Sequence, residues 1–185
     1  MKVVTTALSL GFIALSANLS AQTVSARDAQ SRSHAIAASF SKFKQMSREK
    51  RGVKKEKYIR VQSDPVVKTN PAEYSGIYKV PDLPFTLRLN VDARGIVTGS
   101  GEEALTETVS RAYTLRNGKI EGALLTATKV YADGTSERLE GAFMNRSRFE
   151  SPTDPGVTVF GFGTLGKSVE IGGNTIDRFF YEKTR

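Results

Sequence analysis

The chain contains no cysteine, and among its 185 residues there is a single histidine, His34. Without thiols, neither a disulfide nor a thiolate-bound metal can hold the fold, so an ordinary packed core must do so. One histidine, lying in the N-terminal segment, excludes a Ser-His-Asp triad within the rest of the chain and a His-rich zinc site anywhere. No cofactor and no metal site are therefore expected. After the first twenty or so residues, no apolar run reaches the ~20 residues that a membrane-crossing helix needs. Acidic residues are scarce in one place only. Residues 22–72 hold 12 Lys or Arg against 4 Asp or Glu, a net of +8, whereas residues 73–185 hold 14 against 15, a net of −1. The basicity of the chain belongs to its N-terminal third, and so does any electrostatic partner.

What is present begins with Lys2, an apolar run from Ala7 to Leu15, and small residues ending at Ala21. This pattern predicts a secretory signal peptide over 1–21, cleaved after Ala21 or, failing that, after Ala26, with an uncleaved anchor as the lesser alternative. A periplasmic or secreted protein with no span after cleavage is the expectation.

From Ser31 to Lys50, Ile36, Phe40, Phe43 and Met46 recur at steps of four, three and three, which predicts a helix with one apolar stripe that must dock on something. Next comes "EKRGVKKEKYIRV", followed by a stretch where Pro65 and Pro71 predict an extended linker. Residues 22–72 thus read as a basic helical extension and linker.

Beyond Ala72 the period becomes two. Phe85, Leu87, Leu89 and Val91 alternate with polar residues ahead of the turn Asp92-Ala93-Arg94-Gly95, and Gly76 to Val80 and Ile96 to Gly99 read as further strands. Asn117-Gly118 and Asp133-Gly134 predict two hairpins. The expected fold for 73–185 is mainly β: an antiparallel meander of about seven to eight strands closing into a small barrel or sandwich. Ile120-Glu121-Gly122-Ala123-Leu124-Leu125 echoes Leu139-Glu140-Gly141-Ala142-Phe143-Met144, which two strands facing the same packing demands would explain.

Gly161 to Ser168, "GFGTLGKS", satisfies two phosphate-loop patterns at once. Those loops must leave a strand and open a helix, whereas Val169-Glu170-Ile171-Gly172-Gly173 is a poor helix start. A strand with Gly161 and Gly163 on one face and Phe160 and Phe162 on the other is expected, and no nucleotide binding. Ser39-Phe40-Ser41-Lys42 fits Ser-x-x-Lys but lacks companion motifs. Glu102, Glu103 and Glu107 cluster around an expected loop, and Glu121 and Glu140 are candidates for neighbouring strands. Solvated charge is the favoured reading of both groups.

Lys50, Arg51, Lys54, Lys55, Lys57 and Arg60, with Tyr58 among them, form the strongest functional lead, a stripe for phosphates of lipopolysaccharide or anionic lipid. Nucleic acid attracts the same charges but is disfavoured by the expected export.

Gly76-Ile77-Tyr78 opening a first strand, the hairpin meander from Thr86 to Asn145 and Arg178 in the last strand resemble the calycin group of lipocalin- and avidin-like barrels. The resemblance implies Arg178 packed over Tyr78 and a barrel mouth holding a small apolar ligand lined by Phe85, Leu87, Leu89, Tyr113, Leu124 and Phe143. A barrel filled by its own side chains is the competing expectation. Together these readings predict a non-catalytic exported binding protein for a lipid-like or anionic envelope component. A module that binds another protein through Ile36, Phe40, Phe43 and Met46 is the alternative.

Overall fold

The computed structural model describes residues 24–50, 53–104, 109–171 and 174–184, with the side chains among them outside 43–57 and 166–177. The predicted leader over 1–21 lies outside the described residues. Ser25 caps a helix, α1 (Ala26–Phe40), by accepting from the Asp28 amide. Among the described residues ten strands follow: β1 (Lys42–Lys50), β2 (Val53–Pro65), β3 (Gly76–Lys79), β4 (Thr86–Val91), β5 (Ile96–Ala104), β6 (Ser110–Glu121), β7 (Leu124–Tyr131), β8 (Ser136–Phe149), β9 (Val157–Ile171) and β10 (Asn174–Lys183).

All ten belong to one antiparallel sheet in the order β1-β2-β8-β7-β6-β5-β4-β3-β10-β9, and β9 also pairs with β8. The last pairing closes β3 to β10 into an eight-stranded barrel, which removes its edges. The predicted β-meander and its closure are therefore present. Alternation is clearest in β4, where Leu87, Leu89 and Val91 are buried between exposed neighbours. Inside the barrel, Tyr74 stacks on Phe143 with centroids 4.1 Å apart, Phe143 meets Phe162 at 5.2 Å, and Phe85 meets Phe179 at 4.4 Å. Tyr74, Tyr78, Phe143 and Phe162 have no exposed surface. A void large enough for water would leave accessible area on its lining, so the interior around these four rings is occupied by side chains.

The predicted helix over Ser31–Lys50 is corrected to Ala26–Phe40. Ser39 and Ser41 turn their hydroxyls back onto the carbonyls of Ile36 and Ala37, ending the helix locally, and the next residues pair as β1. Phe43 and Met46 therefore lie on a strand and do not continue the stripe of Ile36 and Phe40. Nor is 22–72 an appended extension. β2 pairs with β8 from Arg60 opposite Phe149 to Pro65 opposite Met144, and the segment after Pro65 is tied beneath the barrel through Tyr74. The Tyr74 hydroxyl donates to Val66 O at 2.8 Å and accepts from the Lys68 amide at 2.8 Å.

Helix α1 lies on the outside of the barrel. Ala29, Ile36, Ala37 and Phe40 pack against Leu124, Ala142, Met144 and Phe180. Gly163 makes room: a Cβ there would sit 2.9 Å from the Phe40 ring and 2.8 Å from Met144 Cε. Arg32 grips Glu140 with two guanidinium nitrogens, and Arg178 donates from Nη1 to Ser39 O at 2.7 Å.

Three further expectations change. Asn117-Gly118 is not a hairpin but a bulge inside β6, with Asn117 at φ 51°. The turn falls at Gly122-Ala123, where Gly122 has φ 60°. Gly141 lies mid-strand beneath Phe162, so the echo pairs a turn glycine with a packing glycine. The Asp133-Gly134 hairpin stands as predicted.

Candidate anion-binding face

The hairpin of β1 and β2 pairs without a register shift from Lys42 opposite Val61 to Lys50 opposite Val53. Because strand residues alternate between faces and register partners share one, the ladder sorts its residues into two sets. Positions Lys42, Lys44, Met46, Arg48 and Lys50 share a face with Val53, Lys55, Lys57, Ile59 and Val61. That face has six cations and no acid. The other holds Phe43, Gln45, Ser47 and Glu49 with Lys54, Glu56, Tyr58 and Arg60, where two cations meet two acids. The predicted stripe is therefore split: Lys50, Lys55 and Lys57 lie on the cationic face, Lys54 and Arg60 on the balanced one, and Arg51 lies outside the described residues. Lys42, Lys44 and Arg48 join the first set, and the linear reading missed them.

The β2–β8 ladder carries the same face onto the barrel. Val61 pairs with Arg148 and Ser63 with Arg146, and across the next ladder these arginines pair with Val157 and Val159. Met144, on the same strand face as Arg146, packs under α1, so the cationic face is the outer one. Val157 and, further along β9, Leu165 are exposed there, at 69% and 51%. Arg60, on the opposite face, stacks over Phe149 at 4.3 Å.

The predicted ligand-pocket residues separate. Tyr78, Phe85, Leu87, Leu89, Tyr113 and Phe143 come together in the barrel core. Leu124 does not: it points outward beneath α1. Arg178 also lies outside, on the helix end, and the β10 cation over the Tyr78 ring is Lys183, its Nζ 5.8 Å away. One residue of offset along a strand reverses the face, which is why both assignments fail together.

Among the described residues one carboxylate, Glu103, sits in a largely buried cluster. Glu103 lies on β5, not in a loop, and accepts from Lys129 Nζ at 2.5 Å, the Tyr131 hydroxyl at 2.6 Å and Arg111 Nη2 at 3.2 Å. Burial pulls its pKa up, but the hydrogen bonds from Lys129 and Tyr131 outweigh it and hold the carboxyl below its ordinary value. Burial pushes the Tyr131 and Tyr113 hydroxyls the other way, well above the usual tyrosine range. Arg111 stacks on Tyr131 at 3.3 Å and Lys129 lies over Tyr113 at 4.9 Å. A carboxylate fixed in its charged form by three donors is a strut between strands and is not poised to donate a proton.

Glu102 accepts from Ser110, and Glu107 lies outside the described residues. Glu121 and Glu140 are not on neighbouring strands, since β7 runs between theirs. Ser39 donates to Ile36 O, not to Lys42, and among the described residues no group of three His, Cys, Asp or Glu could hold a metal. The "GFGTLGKS" segment lies wholly within β9, with Phe160 and Phe162 turned to the core. Among the described residues no helix is long and apolar enough to cross a membrane. No family model, curated protein or solved structure matches the chain.

Proposed function

We propose that this chain is an exported, non-catalytic binding protein that docks on the anionic phosphates of a cell-envelope lipid surface through the outer face of its β1–β2 hairpin. The observation that carries this reading is the register that gathers Lys42, Lys44, Arg48, Lys50, Lys55 and Lys57 on one face while the acids fall on the other. Each basic residue near an anionic surface contributes about 1 kcal/mol, and the attraction fades over ~10 Å at ordinary salt. Exposed Val157 on the continuation of the same face offers apolar contact at the interface. The leader-like first 21 residues support access to the envelope.

The test exploits the two faces. Sedimentation with phosphatidylglycerol vesicles is expected to retain the wild type at low salt and release it steeply as salt rises. Reversing Lys44, Arg48, Lys55 and Lys57 to Glu is expected to abolish retention, and reversing Lys54 and Arg60 to leave most of it. Equal effects of the two reversals would overturn the face-specific reading.

A further inference from the structure

The β1–β2 hairpin has a side that docking by its face does not use. Among the described residues β1 pairs with β2 alone and stands at the end of the sheet order. Its far side therefore presents a backbone edge along all nine residues, Lys42–Lys50. In an antiparallel pair every second residue turns its N–H and C=O away from the partner, so this edge offers a regular row of donors and acceptors. The corresponding side of β2 is interrupted where it joins β8 at Arg60, whereas that of β1 is continuous. An open edge of this kind is a template for one more strand.

Charge decides which strand. Residues of an added strand lie opposite those of β1 and share their faces. On the outer face these are Lys42, Lys44, Met46, Arg48 and Lys50, four cations and no acid; on the other face they are Phe43, Gln45, Ser47 and Glu49. A second copy pairing antiparallel about Met46 would set Lys42 opposite Lys50 and Lys44 opposite Arg48, and an in-register parallel copy would set each cation beside its own counterpart. Like charges directly opposite are destabilising, so the edge repels its own kind and selects the opposite charge.

We propose that the β1 edge receives an extended segment of a partner protein that carries Asp or Glu at every second position and adds a strand to the sheet. Backbone hydrogen bonds hold the segment, and its alternate carboxylates fall on the outer face beside Lys42, Lys44, Arg48 and Lys50. Neighbouring strands lie about 4.8 Å apart, which puts the segment one spacing from the β1 cations and about 10 Å from Lys55 and Lys57 on β2. At about 0.1 M salt the second distance equals the screening length, so the β1 cations dominate. The inference does not rest on lipid docking: a lipid surface reads the whole cationic face, whereas the segment reads one edge.

Fluorescence anisotropy of a labelled peptide of β1's length, with Glu at alternate positions and Thr between them, tests this at about 0.1 M salt. Saturable binding to the purified protein is expected. Two further peptides are N-methylated, one on alternate amides and the other on the remaining ones. Only one set of amides faces β1, so one version is expected to bind about tenfold more weakly or worse and the other nearly as well as the parent. A peptide of the same composition with its Glu residues gathered at one end is expected to bind about fivefold more weakly. These comparisons use the wild-type protein, so the folding of a variant cannot obscure them. Equal effects of the two methylations, equal binding of the two Glu arrangements, or no saturable binding up to about 1 mM protein overturns the proposal. Lys44→Glu with Arg48→Glu is expected to weaken the parent peptide about tenfold and Lys55→Glu with Lys57→Glu about threefold, whereas phosphatidylglycerol vesicles are expected to lose both variants alike. If vesicles do not bind while the methylation asymmetry stands, the lipid reading fails and the edge remains assigned; retention on vesicles without that asymmetry removes the edge alone. Sedimentation equilibrium of the free protein is expected to show a monomer, and a dimer that excludes the peptide would hand the edge to a second copy and overturn the assignment.

Discussion

Replacing Glu103 by Gln tests whether the buried cluster at the end of the barrel is a strut. The carboxylate is ion-paired with Lys129, at 2.5 Å, and with Arg111, at 3.2 Å. Lys129 is 8% exposed, so the substitution leaves its ammonium buried over the Tyr113 ring without the carboxylate it is paired with. Breaking a buried pair by removing one partner costs about 3–5 kcal/mol. Because Arg111 keeps access to solvent, the lower end, about 3 kcal/mol, is expected. For a domain of this size that lowers Tm by roughly 6–12 °C. The acid side should change as well. The folded pKa of Glu103 lies below its unfolded value, so its contribution is present above the unfolded pKa and is lost as pH falls through the folded one. Urea unfolding at neutral pH and at successively lower pH, followed by tyrosine circular dichroism, is the assay. Glu103→Gln is expected to be weaker at neutral pH and to lose part of the acid slope, and Glu103→Gln with Lys129→Met to recover most of the stability. A loss below about 1 kcal/mol, or a double variant no better than the single, would refute the strut.

Other substitutions probe the docking of α1 and the glycine echo. Phe40→Ala removes the ring that lies 6.2 Å from Phe180 and is expected to cost about 3–4 kcal/mol, with α1 becoming the first site of limited proteolysis. Gly122→Ala meets only backbone cost at φ 60°, about 1–2 kcal/mol, because its surroundings are open. Gly141→Ala would drive a methyl into the Phe162 ring and Gly163 O, and is expected to cost more than Gly122→Ala in the same urea titration. Equal costs would mean that the two glycines are equivalent after all.

The barrel was legible where a single strand carries its own signal. Leu87, Leu89 and Val91 alternate so cleanly that no partner is needed to assign their face, and Asp133-Gly134 marks its turn unaided. Features that depend on two strands were not. Asn117-Gly118 satisfies a bulge as well as a hairpin, since both accept a left-handed Asn, and only the register shifts against β5, between Val97 and Gly99, and against β7, between Arg116 and Lys119, distinguish them. The Glu103 cluster draws on β5, β6 and β7, whose registers no short window contains. The cationic face was half visible: the charges were plain, but their sorting appears only once β1 and β2 are paired, with Lys50 brought opposite Val53. The helix boundary failed because the spacing from Ile36 to Met46 runs across a junction set by two serine hydroxyls.

Strand β8 serves three partners, β7, β9 and β2, and the surface that receives α1 is assembled from Leu124, Ala142, Met144 and Phe180. Phe180 belongs to the final strand, so the cradle for the first helix is incomplete until almost the whole chain has been synthesised. An early-made amphipathic segment must then wait, its oily side uncovered, for a late-made wall. Assembly is therefore timed by the C-terminus, and a chain shortened before β10 would leave that segment without its berth.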